Sequence, residues 1–207
     1  MDDVVVATAN PHKLTEIAAI LAAATDGPVP RLVPMSELGL PSPVEDGATF
    51  AANALIKARA CATATGLPAV ADDSGIVVDA LDGAPGVRSA RFAGEDADDA
   101  ANNALLLARL ADLGATSPAA RRAAFVCAAA LVRPGGTEHV VEGRMPGHVV
   151  AAPRGRHGFG YDPLFVADAT VDGRTNGELT PAEKDAISHR GAAFRALAPV
   201  LLAAPTG

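Results

Sequence analysis

The chain has 207 residues, a hydrophobic fraction of 49 % and a formal net charge of −7. That length and apolar content point to one globular domain with a sizeable aliphatic core and argue against disorder. The acidic balance, with no basic stripe, argues against long nucleic acid as a partner, whereas a small anion needs only a few local cations.

Val4 to Thr8 read as a buried strand, and Leu14, Ile17, Ile20 and Leu21 then recur at helical spacing. Asn10 suits the helix N-cap and Pro11 its first position. Residues 28–48 are proline-rich and read as loop, with a short strand at Leu32-Val33. A second helix is expected from Thr49 to Thr65, burying Phe50, Ala54, Leu55, Ala58 and Cys61. Ala69-Val70-Ala71 and Ile76-Val77-Val78 read as two short strands joined by an Asp72-Asp73-Ser74-Gly75 turn. A third helix is expected over 97–113, ending at Gly114.

The second half reads as strands at 122–133, 138–144 and 147–152, the first two joined by Pro134-Gly135-Gly136. Thr180-Pro181-Ala182-Glu183 is a capping box that opens a short helix, and a last helix is expected over 191–203. The fold class is therefore α/β with a mixed sheet and flanking helices. Cys61 and Cys127 are isolated and read as buried free thiols, which fits a reducing compartment. The Met-Asp-Asp start lacks a basic leader region, and no apolar run is long enough to span a membrane. The expected location is cytoplasmic.

Five stretches carry candidate chemistry. The turn Thr8-Ala9-Asn10-Pro11-His12-Lys13 joins a strand to a helix N-terminus, where orphan N–H groups, the helix dipole and the Lys13 charge favour an anion such as phosphate. Asp72-Asp73 places two carboxylates together, which a divalent metal such as Mg²⁺ would compensate, and one could take a proton from water. Glu45-Asp46 supplies further candidate ligands, and Asn53 with Lys57 shares one helix face at i, i+4. Gly158-Phe159-Gly160-Tyr161-Asp162-Pro163 offers close backbone approach and a ring on which a base can stack. Lys184 with Ser188-His189-Arg190-Gly191 is a donor set that favours a base bearing a carbonyl. A phosphate turn, carboxylates, an aromatic platform and a donor set together point to a nucleotide.

In order and spacing these stretches, joined by Gly83-Ala84-Pro85-Gly86-Val87 and Ser89-Ala90-Arg91, resemble the inosine/xanthosine triphosphate pyrophosphatase family over essentially the whole chain. The resemblance implies an elongated mixed sheet with flanking helices, two lobes around a central cleft within one domain spanning 1–207, and a homodimer. It implies Mg²⁺-dependent hydrolysis of non-standard purine nucleoside triphosphates (ITP, dITP, XTP) to the monophosphate and pyrophosphate. By motif, Thr8 to Lys13 would hold phosphates, Asp73 would accept a proton and bind metal, and Glu45 would lie near the metal. Ser74, Phe159, Gly160, Tyr161, Asp162, Lys184, His189 and Arg190 would contact the nucleotide, with Asn53 and Lys57 beside the phosphate turn. Ala9 and His157 stand where the family usually or often has glycine. Two rivals compete with this expectation: a related pyrophosphatase preferring modified pyrimidines, and a nucleotide sensor without turnover.

Overall fold

The computed structural model describes residues 3–25 and 27–203, so Met1 and Asp2 of the leader reading lie outside the described residues. Strand β1 (Val4–Val6) leads to helix α1 (Pro11–Ala23), β2 (Leu32–Pro34) and α2 (Phe50–Thr65). Strand β3 (Ala69–Val78) is followed by α3 (Asp99–Asp112), β4 (Arg122–Val132), β5 (Glu138–Val149) and β6 (Phe165–Ala167). Helices α4 (Pro181–Ile187) and α5 (His189–Leu202) end the described chain.

The six strands form one sheet in the order β2-β1-β3-β4-β5-β6. It is mixed as expected: β1 runs parallel to β2 and β3, and β6 is antiparallel to β5. A strand flanked by parallel neighbours is buried on both faces, which accounts for the unbroken Val4-Val5-Val6 run.

The helix starts follow their local signals. Asn10 caps α1, Thr49 caps α2 and Asp98 caps α3. At α4 both halves of the Thr180–Glu183 capping box are made, with Pro181 in the first turn.

Two strand expectations change. Asp72-Asp73-Ser74-Gly75 is no turn but the middle of the continuous strand β3. Strand geometry holds there because Ser89 docks on the strand: its Oγ accepts the Ile76 amide (3.0 Å) and donates to the Gly86 carbonyl (2.7 Å). A Cβ at position 75 would collide with Ser89 and the Gly86 carbonyl, so glycine serves close approach here, not a turn. Likewise 138–144 and 147–152 are not two strands, since β5 runs through Pro146, whose carbonyl accepts the Asp168 amide (2.9 Å). The three-residue β6, too short to alternate, has no counterpart in the expected elements and is defined by its pairing with Gly147 to Val149.

The chain forms two compact units, Met1–Asp73 with Cys127–Gly143 and His189–Gly207, and Ser74–Val126 with Arg144–Ser188. The core of the first unit packs Val4, Val6, Ile17, Ile20, Leu21, Leu131, Phe194 and Leu197. The core of the second packs Ile76, Leu106, Leu110, Phe125, Met145, Leu164 and Phe165. Both are aliphatic with few rings, and Phe125 meets Phe165 edge to face (4.8 Å between centroids).

Candidate functional site

In the first unit, β1 ends into the 8–13 turn. Thr8 Oγ1 accepts the Asn10 amide (3.1 Å), and Asn10 Oδ1 accepts those of His12 (2.9 Å) and Lys13 (3.4 Å). The first-turn amides expected to be orphans therefore have an internal acceptor, and the positive feature of the turn is the Lys13 ammonium. Pro11 and His12 are exposed, as is Ala9. Among the described residues only Asp82 is a non-glycine with positive φ, so Ala9 fits the turn without the left-handed freedom of glycine.

Strand β3 turns the two aspartates to opposite faces. The Asp72 side chain is wholly buried, and its Oδ2 meets Lys13 Nζ at 3.1 Å. Arg190 Nε (3.2 Å) and Nη2 (3.1 Å) donate to the same oxygen. Burial raises the Asp72 carboxyl's pKa, but the charges of Lys13, Arg190 and Lys57 outweigh it and hold the group far below the usual carboxylate range.

Asp73 faces a different set. Its Oδ2 accepts from Asn53 Nδ2 (3.0 Å) and its Oδ1 lies 3.4 Å from Lys57 Nζ. Lys57 Nζ also donates to Glu45 Oε2 (2.9 Å), and Asn53 Oδ1 accepts the Gly47 amide (2.8 Å). Asn53 and Lys57 are thus not a solvated pair: the α2 face that carries them is turned inward and ties the 45–47 loop to β3. Burial raises the Asp73 pKa, opposed by Lys57 and Asn53, and the net result is above the ordinary value. Lys57 is lowered by burial but raised more by Asp73, Asp72 and Glu45, so it remains charged.

Glu45 and Asp73 are hard oxygen donors brought to one ammonium, and they fit a divalent cation of the Mg²⁺ type. Among the described residues no group of three or more His, Cys, Asp or Glu is placed to hold a metal. A pair of carboxylates suits an ion that keeps water and takes oxygens from a phosphate ligand.

In the second unit the Gly158–Pro163 loop is built around Asp162. This buried carboxylate accepts the Phe159 amide (3.0 Å), Lys184 Nζ (2.7 Å) and Asn176 Nδ2 (3.1 Å). The same Lys184 Nζ lies 5.0 Å from the centre of the Phe159 ring, a cation–π contact. The expected platform and its lysine are therefore joined through Asp162. Asp99 Oδ2 accepts the Gly160 amide (2.6 Å) and Asn103 Nδ2 donates to the Gly160 carbonyl (3.0 Å), anchoring the loop to α3. A cavity of about 430 Å³ opens here, lined by Asp99, Asn103, Leu107, His157 and Phe159 among others. His157 Nδ1 meets the Leu179 carbonyl at 2.8 Å.

Three of the expected nucleotide contacts have partners within the protein. The Tyr161 hydroxyl donates to the Ser89 carbonyl (2.9 Å) and its ring joins the core, so Tyr161 supports the loop from within. Lys184 and Arg190 have different carboxylate partners. Lys184 bonds Asp162 in the second unit, while Arg190 belongs to the first and bonds Asp72 and Glu16. His189 is buried at the start of α5, and Ser74 follows Asp73 on β3. Glu16, on α1, was not among the expected site residues. Asn103 and Asn176 were missed, because an asparagine inside a helical or loop pattern gives no signal of the partner it meets.

The Ham1 family model matches residues 4–200. A Frankia alni protein named dITP/XTP pyrophosphatase is 57 % identical over 203 residues, covering 96 % of each chain. Among solved structures, a HAM1 protein from Coxiella burnetii superposes with a TM-score of 0.86 at 40 % identity, covering 97 % of this chain and 98 % of its own. A nucleoside-triphosphatase, or dITP/XTP pyrophosphatase, from Mycobacterium abscessus gives 0.74 at 50 % identity, covering 97 % and 100 %. With its sheet order, its buried acid–lysine groups and this near-complete match, the chain belongs to the Ham1 family.

Proposed function

We propose that this chain hydrolyses non-standard purine nucleoside triphosphates (ITP, dITP and XTP) to the monophosphate and pyrophosphate, as an Mg²⁺-dependent cytoplasmic enzyme that works as a homodimer. The observation that carries the reading is the Asp73 carboxylate, raised in pKa by burial and fixed by Asn53 and Lys57. The relatives' printed names supply the substrate class.

In this reading Asp73 Oδ2 or Oδ1 takes a proton from the attacking water. A carboxylate held above its ordinary pKa is the stronger base. Oxygen from water bonds to the α-phosphorus, the α–β bridging bond breaks, and pyrophosphate leaves with the bridging oxygen. Lys13, at the α1 N-terminus, holds the polyphosphate and offsets the charge that builds on it. Lys57 bridges Glu45 and Asp73. Glu45 and Asp73 would hold Mg²⁺, which when bound supplies Lewis-acid stabilisation of the phosphate oxygens. Phe159 gives the base a stacking face, and Lys184, fixed by Asp162, donates to a 6-carbonyl.

The test is a panel of nucleoside triphosphates with pyrophosphate and orthophosphate measured separately, with and without Mg²⁺. Pyrophosphate released from ITP, dITP and XTP well ahead of ATP is the expected result. Orthophosphate as the product, or no preference among bases, overturns the reading.

A further inference from the structure

Asp162 carries its donors unevenly. The Phe159 amide (3.0 Å) and Lys184 Nζ (2.7 Å) both end on Oδ2, whereas Oδ1 takes a single donor among the described residues, Asn176 Nδ2 at 3.1 Å. Asn176 is wholly buried, and its own Oδ1 has no partner among the described residues. The bond to Asp162 is therefore what accounts for an amide at this position. The turn that carries Asn176 is held on both sides. Thr175 Oγ1 donates to the Arg154 carbonyl (2.8 Å), and Glu178 Oε2 accepts the Thr175 amide (2.8 Å). The Gly177 carbonyl accepts the amides of Arg156 (2.8 Å) and His157 (2.9 Å). Asn176 is thus presented to Asp162 from an anchored segment.

We propose that Asn176 is a positioning residue for base selection, which aims Lys184 through Asp162 and has no part in holding the phosphates. The last torsion of an aspartate is broad, so two donors on one oxygen leave the plane of the carboxylate loosely set. The donor on Oδ1 fixes it. Without that donor Oδ2 can swing, and Oδ2 is the anchor shared by Lys184 and the backbone of the Phe159 platform. Lys184 keeps its charge and loses direction, and a reacting geometry suffers when its donors are misplaced. A base with a carbonyl at position 6 loses an aimed donor. A base with an amino group there has no such contact to lose.

This inference rests on the pyrophosphatase reading, and its test separates the two. Wild type, Asn176→Ala, Lys184→Met and the double variant are assayed for kcat and KM on ITP and ATP, and for inhibition by inorganic pyrophosphate. If wild type releases no pyrophosphate from ITP, the functional reading fails and the proposal with it. If wild type is active, Asn176→Ala is expected to lower kcat/KM for ITP by about tenfold and for ATP by less than about twofold. Inhibition by pyrophosphate, which has no base, stays as in wild type. In the Lys184→Met background the same change moves the ITP-to-ATP ratio by less than about twofold, because Asn176 acts through Lys184. An equal fall for both substrates makes Asn176 a residue of the fold alone and overturns the proposal. An unchanged ratio, pyrophosphate inhibition that weakens in step with ITP, or effects on the ratio that simply multiply also overturn it. If Lys184→Met does not fold, the ratio and the pyrophosphate inhibition of Asn176→Ala decide by themselves. If Asn176→Ala does not fold, Asn176→Leu decides, since it fills the buried space with a side chain that has no donor. The same fall in the ratio supports the proposal, and an unchanged ratio or an equal fall overturns it.

Discussion

Asn53 joins two segments at one side chain: its Nδ2 donates to Asp73 Oδ2 at 3.0 Å and its Oδ1 accepts the Gly47 amide at 2.8 Å. The amide is 1 % exposed, and its two ends match one acceptor and one donor. A carboxylate cannot donate and a methyl can do neither, so no shorter or charged substitute reproduces the pair.

Asn53→Ala should therefore damage both segments. It leaves the buried Asp73 carboxylate one partner short, at a cost of about 1–3 kcal/mol, and frees the part-buried Gly47 amide. Turnover should fall with it, because Asp73 loses a bond that fixes its orientation. Urea unfolding and kcat on ITP, measured on the same preparation, check this. Unchanged stability with unchanged kcat would remove Asn53 from the site.

Asp73→Asn should separate stability from activity. The folded-state pKa of Asp73 lies above its unfolded value, so folding favours the protonated form. The stabilising contribution of that proton is complete below the unfolded pKa and is lost as pH rises through the folded pKa. Above the folded pKa the ionised carboxylate opposes folding, and the amide does not. In metal-free buffer Asp73→Asn is expected to have a higher Tm than wild type above the folded-state pKa, with the gap closing as pH falls through that pKa and gone below the unfolded value of about 3.9. Its turnover should drop by about 10²-fold or more from loss of the base. A lower Tm at neutral pH would show that Lys57 depends on the charge more than burial opposes it.

The second unit has its own test at Gly158. Its φ is +76°, and an added Cβ would meet the Asp162 carboxylate, which Lys184, Asn176 and the Phe159 amide hold in place. Gly158→Ala should cost about 1–2 kcal/mol for the left-handed backbone alone. The displaced Phe159 should raise KM for ITP, while inorganic pyrophosphate, which lacks a base, inhibits as it does wild type. Pyrophosphate inhibition that weakens in step with KM would mean that the loop serves the phosphates.

Metal dependence should be tied to nucleotide. With two carboxylates as candidate protein ligands, Mg²⁺ alone should shift Tm little. Mg²⁺ with a non-hydrolysable ITP analogue at about 100 times its Kd should add about 2.7 kcal/mol. Chelation should abolish turnover, and restored Mg²⁺ should return it. A large shift from Mg²⁺ alone would point to a fuller protein cage than Glu45 and Asp73 provide.

The sequence by itself determined the parts of this protein whose signals are local. The Asn10, Thr49 and Thr180 caps bond amides two or three positions ahead, so a few adjacent letters contain both partners. The Val4–Val6 run shows its burial by composition alone, and the motif spacing was enough to indicate the family. Only the tertiary structure decided what depends on distant partners. Asp72-Asp73-Ser74-Gly75 has turn composition, yet Ser89 and the neighbouring strands hold it extended. Asn53 and Lys57 carry polar letters, yet Asp73 and Glu45 bring them inside. Arg190 and Lys184 lie six positions apart, yet Asp72 takes one and Asp162 takes the other. A polar side chain can be buried when its charge or hydrogen bonds are matched, and the group that matches Arg190 lies 118 residues earlier, on a strand rather than in its own helix.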